Sequence, residues 1–258
     1  MSGARLVWHQ FRYDLKTFWR DPAAVGFTVA FPLIFLFIFV TIFGNEPTRV
    51  AGGVIKGSTY YVPGIVALGL ISASYLNLAI TLTILRERGV LKRLQSTPLP
   101  RWVFIAGRIG TSIVITFLLA AVLVLLGRLV YGVSVPGSTL PGALLALLIG
   151  AVSFCSLGFA ISAVIPTENS APPITNAVIL PLYFISGIFI PSSQIPEGMQ
   201  RVADVFPVKP LFDALLTAFD PNTTGVGIAA ADLAVVAAWG VAGLALAARG
   251  FRWTPRGD

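Results

Sequence analysis

Few side chains in this chain could make or break a covalent bond. His9 is the single histidine and Cys155 the single cysteine, which removes the usual zinc sites, any Ser-His-Asp arrangement and any intrachain disulfide. Cys155 sits in an apolar run and reads as a small packing residue. No Gly-x-x-x-x-Gly-Lys-Ser/Thr run occurs, so this chain cannot cradle nucleotide phosphates by the P-loop route. What remains is hydrogen bonding and docking. Ser74, Asn77 and Thr81 share one face of an apolar segment, and Thr175, Asn176, Tyr183 and Phe184 mark another. Bare polar groups are costly against lipid, so these should face protein or a cavity. They could line a route for a solute or simply bond one helix to the next. The densest run of charge is Arg86-Glu87-Arg88-Gly89-Val90-Leu91-Lys92-Arg93-Leu94-Gln95, closed by Thr97-Pro98. At about 100° per residue, Glu87, Val90, Leu91 and Leu94 fall on one helical face and Arg88, Lys92 and Gln95 on another. Such a helix can press its apolar face into a partner's groove and move as a rigid lever; a solvated loop would have the same charge count.

The elements that must position these residues follow from the composition. Hydrophobic residues make up 56% of the chain and charged residues 11%, and the mean hydropathy is +0.85. A water-soluble fold would have too little polar surface, whereas lipid solvates apolar side chains on every face of a helix whose backbone bonds to itself. Six uncharged or nearly uncharged runs approach the roughly 20 residues a spanning helix needs: 23–43, 60–85, 102–131, 140–165, 172–190 and 226–249. Arg108 and Arg128 lie near the ends of the third, where long side chains can snorkel to the headgroups. Pro136, Gly137, Ser138 and Pro141 punctuate one connection, and Pro166 to Asn169 another, with Asn169 or Ser170 placed to cap the next helix. Thirteen of the eighteen Lys and Arg residues lie before the first span, between the second and third, or after the sixth, with Arg108 and Arg249 counted at the ends of their spans. By the positive-inside rule those segments, and both termini, are cytoplasmic. The net charge of +7 is then topological, and no nucleic-acid partner is expected. The first apolar run is about twice the length of a signal-peptide core and is expected to be retained.

Three further segments carry patterns. Residues 1–21 repeat Trp8, Phe11, Leu15 and Phe18 on one helical face and Arg5, His9, Arg12, Lys16 and Arg20 on a neighbouring one, as an interfacial helix does; an anchor or a partner-binding element would look the same. Residues 191–221 follow Gly187, Pro191 and Pro196, which stop a helix, and stay amphipathic through Met199, Val202, Phe206, Leu211, Leu215, Leu216 and Phe219. They could form a lid over an outward opening or a surface loop packed on lipid. Ala230, Ala234, Ala238 and Ala242 give the sixth span a small-residue stripe, for packing within the bundle or against a second copy.

The loop Leu85-Arg86-Glu87-Arg88-Gly89, Leu94, Thr97-Pro98-Leu99 and Gly107-Arg108 resembles the intracellular loop of the ABC-2 type permeases, a family of drug, antibiotic, polysaccharide and lipid exporters that includes the daunorubicin-resistance permeases. Ser186-Gly187-Ile188-Phe189-Ile190-Pro191 with Pro196, then Phe206-Pro207, is similar to the family's outer segment before its last helix. The resemblance runs over nearly the whole chain. It implies an all-α membrane protein of six transmembrane helices with an interfacial N-terminal helix, a cytoplasmic coupling helix at 86–100 and an outer re-entrant segment. It implies docking on two copies of an ABC ATPase through Arg86, Glu87, Arg88, Gly89, Val90, Leu91, Leu94 and Pro98, with ATP and Mg held by that partner and no cofactor bound here. It further implies pairing with a second permease half, and a substrate route lined by the second and fifth spans. The exporter then moves an amphiphilic or hydrophobic cargo across the cytoplasmic membrane. An ion-coupled carrier or channel would ordinarily place Asp, Glu or His deep in the membrane, and the second, fourth and fifth spans hold none. An intramembrane enzyme would need a nucleophile, acid or metal group at one level, and no such cluster is legible.

Overall fold

The computed structural model describes residues 3–44, 46–50, 53–96, 100–133 and 136–250. Helix α1 (Gly3–Arg20) lies against the bundle and α2 (Pro22–Phe43) enters it after Asp21-Pro22. A short antiparallel hairpin, β1 (Pro47–Val50) and β2 (Gly53–Lys56), joins α2 to the next helix. The sequence reading leaves this hairpin as plain connection, because two four-residue strands are too brief for a period-2 signal.

The second apolar segment is the axis of the molecule. It runs from Gly57 to Glu87 as α3 (Gly57–Ile71), a π-helical turn (Ser72–Leu76) and α4 (Asn77–Glu87), longer at both ends than 60–85. Every residue of α3 is buried, which is why its side chains are apolar or small on all sides. Around it stand α2, α6 (Arg101–Tyr131), α7 (Leu140–Val164) and α10 (Val208–Phe219). The last helix, α11 (Ala230–Gly250), packs along α7. Its inner face is Leu233, Val236, Gly240, Gly243 and Ala247, and Gly243 brings its backbone against Ser156 and Leu157. Ala230, Ala234, Ala238 and Ala242 are exposed, so the small-residue stripe does not make the intramolecular contact; the glycines do, because only a bare Cα admits the α7 backbone that closely.

Helix α8 (Ala171–Ile185) ends five residues short of the expected 190. At about 1.5 Å per residue it spans roughly 22 Å, less than the roughly 30 Å hydrocarbon core. Gly187 breaks it with φ of 92°, and a Cβ there would lie 2.7 Å from the Ser192 hydroxyl. The chain continues through α9 (Glu197–Val205) into α10, then reaches α11 at Ala230, later than the expected 226. Non-helical backbone is tolerated at this level because protein satisfies it: the Tyr60 hydroxyl donates to Gly187 O at 2.8 Å, and Phe189 sits among Phe35, Phe39, Tyr183 and Phe184. Among the described residues, four helices are long and apolar enough to cross a membrane: Gly57–Glu87, Trp102–Tyr131, Leu140–Val164 and Ala230–Gly250. The apolar helix Thr28–Phe43 is shorter. This is a multi-pass membrane protein.

Candidate functional site

The connection between α4 and α6 is more compact than a helix over 86–100. Helix α4 stops at Glu87, Gly89 takes a left-handed φ of 67°, and only Val90–Gln95 forms α5. Glycine pays no steric penalty for that conformation, so it turns the chain sharply. Pro98 lies outside the described residues. The turn also reorients the expected faces. Leu91 is fully buried, and Leu94 is partly buried, in a cluster with Leu82 of α4, Phe104 of α6 and Phe159 of α7. The apolar side of α5 is therefore used up within the chain. Arg88, Lys92, Arg93 and Gln95 are exposed, while Glu87, Gly89 and Val90 are half-buried. What this corner offers a partner is a basic, polar surface.

Arg86 anchors the corner. It is 2% exposed, and its guanidinium donates to Ser162 O at 2.8 Å, Ile165 O at 2.6 Å and Glu87 Oε1 at 3.0 Å. Ser162 is in the last turn of α7 and Ile165 caps it, so the cation satisfies carbonyls that the helix end leaves without intrahelical donors and complements the negative end of the helix dipole. Arg88 adds an exposed ion pair to Glu168 at 3.1 Å. Beside it, Thr167 and Ser170 form a reciprocal capping box on the short turn before α8; Ser170 stands at the N-cap position of α8, as expected for it or Asn169, but its hydroxyl bonds back to Thr167 and does not cap α8. The base of this corner is thus tied directly to the end of α7 and to the turn that leads into α8.

Helix α1 is joined to α6 by a second, half-buried cation. Phe11, Leu15 and Phe18 turn inward, and Gly107 and Gly110 of α6 let Gln10 and Phe11 approach. Trp8 stays 59% exposed. Asp14, 2% exposed, pairs with Arg108 at 3.4 Å and accepts a hydrogen bond from Gln10 at 3.0 Å. Burial raises the Asp14 pKa, partly offset by Arg108. Arg108 therefore does not snorkel to the headgroups. The legible signal was an acid lying on the aromatic stripe, between Phe11 and Phe18, rather than among the cations.

The polar residues of the second and fifth apolar segments divide by depth. Ser74, Thr175 and Tyr183 are buried, Asn77, Thr81 and Asn176 half-buried, and Phe184 faces outward. Ser74 Oγ donates to Leu70 O at 2.6 Å and Thr175 Oγ1 to Ala171 O at 2.7 Å. Thr81 donates to Asn77 Oδ1 at 3.1 Å, and Asn176 to Pro172 O at 2.8 Å. Each of these is satisfied within its own helix, and α4 and the π-helical turn contact α8. Among the described residues the hydroxyls of Tyr183 and of Tyr75, in the π-helical turn, meet no partner at hydrogen-bonding geometry, although Ser72 lies beside Tyr183. Sequence inspection passes over Tyr75 because a π-helical turn has no sequence period of its own.

At the opposite end of the bundle, Gly187, Pro191, Pro196 and Phe206 all belong to the packed segment between α8 and α11. Tyr60 binds it at Gly187 O and Ser192 N, and Phe206 stacks on Trp239 of α11 at 5.8 Å. Beside it opens a cleft of about 640 Å³ lined by Arg49, Tyr60, Lys209, Asp213, Asp220 and Asp232 among others. Lys209 Nζ bridges Asp204 at 2.6 Å and Asp213 at 2.7 Å. Burial pushes the Asp213 carboxyl up to about 6 against the pull of Lys209.

The profile of the ABC-2 type transporter family matches residues 5–219. The chain belongs to the ABC-2 type transporter family. It is 28% identical over 198 residues to the daunorubicin resistance ABC transporter permease protein DrrB1 of Streptomyces coeruleorubidus, covering 75% of this chain and 68% of that one. It is 23% identical over 195 residues to the transport permease YvfS of Bacillus subtilis, covering 75% and 77% respectively. This ABC-2 chain is accordingly a transmembrane subunit of an ABC transporter, and its family implies an ABC ATPase subunit as partner. Membership fits a molecule in which Arg86 and Arg108 tie the α4–α6 corner and helix α1 to the apolar helices.

Proposed function

We propose that this permease is the membrane half of an ATP-driven exporter of amphiphilic or hydrophobic cargo, crossing the cytoplasmic membrane six times with both termini inside. The observation that carries the reading is the Arg86 anchor: a force applied to the exposed face of α5 would pass into α4, through Arg86 to the end of α7, and through the packing of α4 to α8. Two ATPase subunits, each binding its own ATP and Mg, would dock on Arg88, Lys92, Arg93 and Gln95 of two permease halves. Their closure would shift α4 and α8 as rigid rods and exchange an inward cavity for an outward one. The route would pass Ser74, Asn77, Thr81, Thr175, Asn176, Tyr183 and Phe184, under an outer gate held by Gly187, Pro191, Pro196 and Phe206. The daunorubicin-resistance relative supports an amphiphilic drug as the cargo class.

The test is copurification followed by transport. The tagged chain should retain a P-loop ATPase encoded beside it, and inverted vesicles should accumulate daunorubicin with ATP but not with an ion gradient alone. Lys92→Glu with Arg93→Glu should release the ATPase while leaving the permease folded. Transport that follows a proton or sodium gradient without nucleotide would sink the reading.

A further inference from the structure

Two phenols inside the bundle are left without hydrogen-bond partners. Tyr75 lies in the π-helical turn of Ser72–Leu76 and Tyr183 on the inner face of α8, 4% and 2% exposed. Both hydroxyl oxygens are buried and unpaired, although Ser72 lies beside Tyr183 and the two phenols are within electrostatic reach of each other.

The backbone around them is settled. The Asn77 N–H reaches back to Ser72 O across the wide turn. The Ser74 and Tyr75 carbonyls are covered by Gly158 of α7, where a Cβ would stand only 3.2 and 3.1 Å away. The unmet demand is therefore confined to the hydroxyls. Burying a hydroxyl without a partner is unfavourable, and phenylalanine would fill nearly the same volume without that penalty. Tyrosine is advantageous at these positions only in a state where an acceptor arrives between the helices. π-helical turns are rare and recur at functional sites, and this one sits midway along a 31-residue span, on the element that moves in the proposed cycle. No charged residue occurs from 57 to 85 or from 169 to 196, so what these two segments offer a cargo is hydrogen bonding, which an acceptor oxygen completes.

We propose that Tyr75 and Tyr183, with Ser72 beside them, form a hydrogen-bonding station that selects cargo presenting carbonyl or ether oxygens within an apolar frame. This rests on the proposed route between α4 and α8 and names its recognition chemistry. The experiment uses the full chain in lipid nanodiscs, with daunorubicin, whose quinone carbonyls are acceptors, as the probe. Binding is followed by fluorescence and stability by thermal unfolding for Tyr75→Phe, Tyr183→Phe and the double variant. The double variant should bind about tenfold more weakly, while its unfolding midpoint stays at or above that of the original chain. A merely structural role would lower the midpoint, since a bonded hydroxyl would then be lost. Failure of the original chain to bind daunorubicin, equal binding by the double variant, or a lowered midpoint would each overturn the inference. Binding needs no ATPase, so failure here is distinguishable from failure of the exporter reading, which is judged by copurification and energy source.

Discussion

Replacing Arg86 by methionine separates the α4–α6 corner from the end of α7 at one atom group. Methionine matches much of the buried volume but donates nothing, so Ser162 O and Ile165 O lose bonds of 2.8 and 2.6 Å and Glu87 loses its 3.0 Å partner. Hydrogen bonds to a charged group contribute about 1.5–3 kcal/mol each, and removing one side of a buried charged arrangement costs about 3–5 kcal/mol. Relief of the guanidinium's desolvation works in the opposite direction, which leaves an expected net loss of about 3 kcal/mol. Lysine keeps the charge but not the planar fork that reaches two carbonyls at once, and Arg86→Lys should lose about half as much. Arg88→Met is the control: its pair with Glu168 has side chains 66% and 38% exposed, and exposed pairs contribute no more than about 1 kcal/mol. Unfolding would be followed by thermal melts in nanodiscs and by denaturing-detergent titration, with ATPase and transport rates measured on the assembled complex. The expectation is that Arg86→Met lowers stability and uncouples hydrolysis from transport, whereas Arg88→Met, at an exposed pair, leaves stability unchanged. An Arg86→Met protein as stable as the Arg88→Met control, with transport still tracking hydrolysis, would refute the anchor.

Two further outcomes are expected. Gly142→Ala should destabilise by about 1–3 kcal/mol in spite of alanine's better helix propensity, because a Cβ there would overlap the Gly227 carbonyl and disturb the Gly142 N–H to Val226 O bond of 3.0 Å. Gly198→Ala on α9 meets nothing within 4 Å and should be neutral or gain up to about 1 kcal/mol; opposite ordering in thermal melts would contradict the packing. Asp213 provides a pH test. Lys209 on its own helix, Asp204 of α9 and Asp232 of α11 act on it, with Arg49 and Tyr60 across the cleft, and burial holds its pKa near 6. A raised carboxyl binds its proton more tightly when folded, so this group's contribution is complete below its unfolded value near 4 and is lost as pH rises through about 6. Between pH 7 and pH 5 it should add about 1 kcal/mol; Asp213→Asn should remove that slope from pH-dependent melts, and an unchanged slope would count against it.

Composition and periodicity by themselves determined the solvent and much of the chain's course. Runs such as 102–131 and 140–165 are long, free of charge except near their ends, and bounded by prolines, glycines or cations, and a lipid-solvated helix is nearly the only structure that satisfies such a backbone. The loop residues from Arg86 to Leu94 and the Gly187 to Pro196 segment were legible for the same local reason: helix breakers and charge interrupt apolar runs. Direction was not. Whether Leu91 meets a partner or Phe104 depends on the left-handed turn at Gly89, and whether Arg86 faces water or the end of α7 depends on where a helix some 80 residues away stops. The alanine stripe of α11 and its glycines are equally good small-residue patterns in one dimension; only the seating of α11 on α7 chose the glycines. Asp14 and Arg108, Tyr75 and Tyr183, and Tyr60 and Gly187 are encounters between elements distant in the chain. Tertiary structure alone decides these because a helix's sequence specifies which residues share a face, whereas the neighbour that face meets is set by how all the helices pack together.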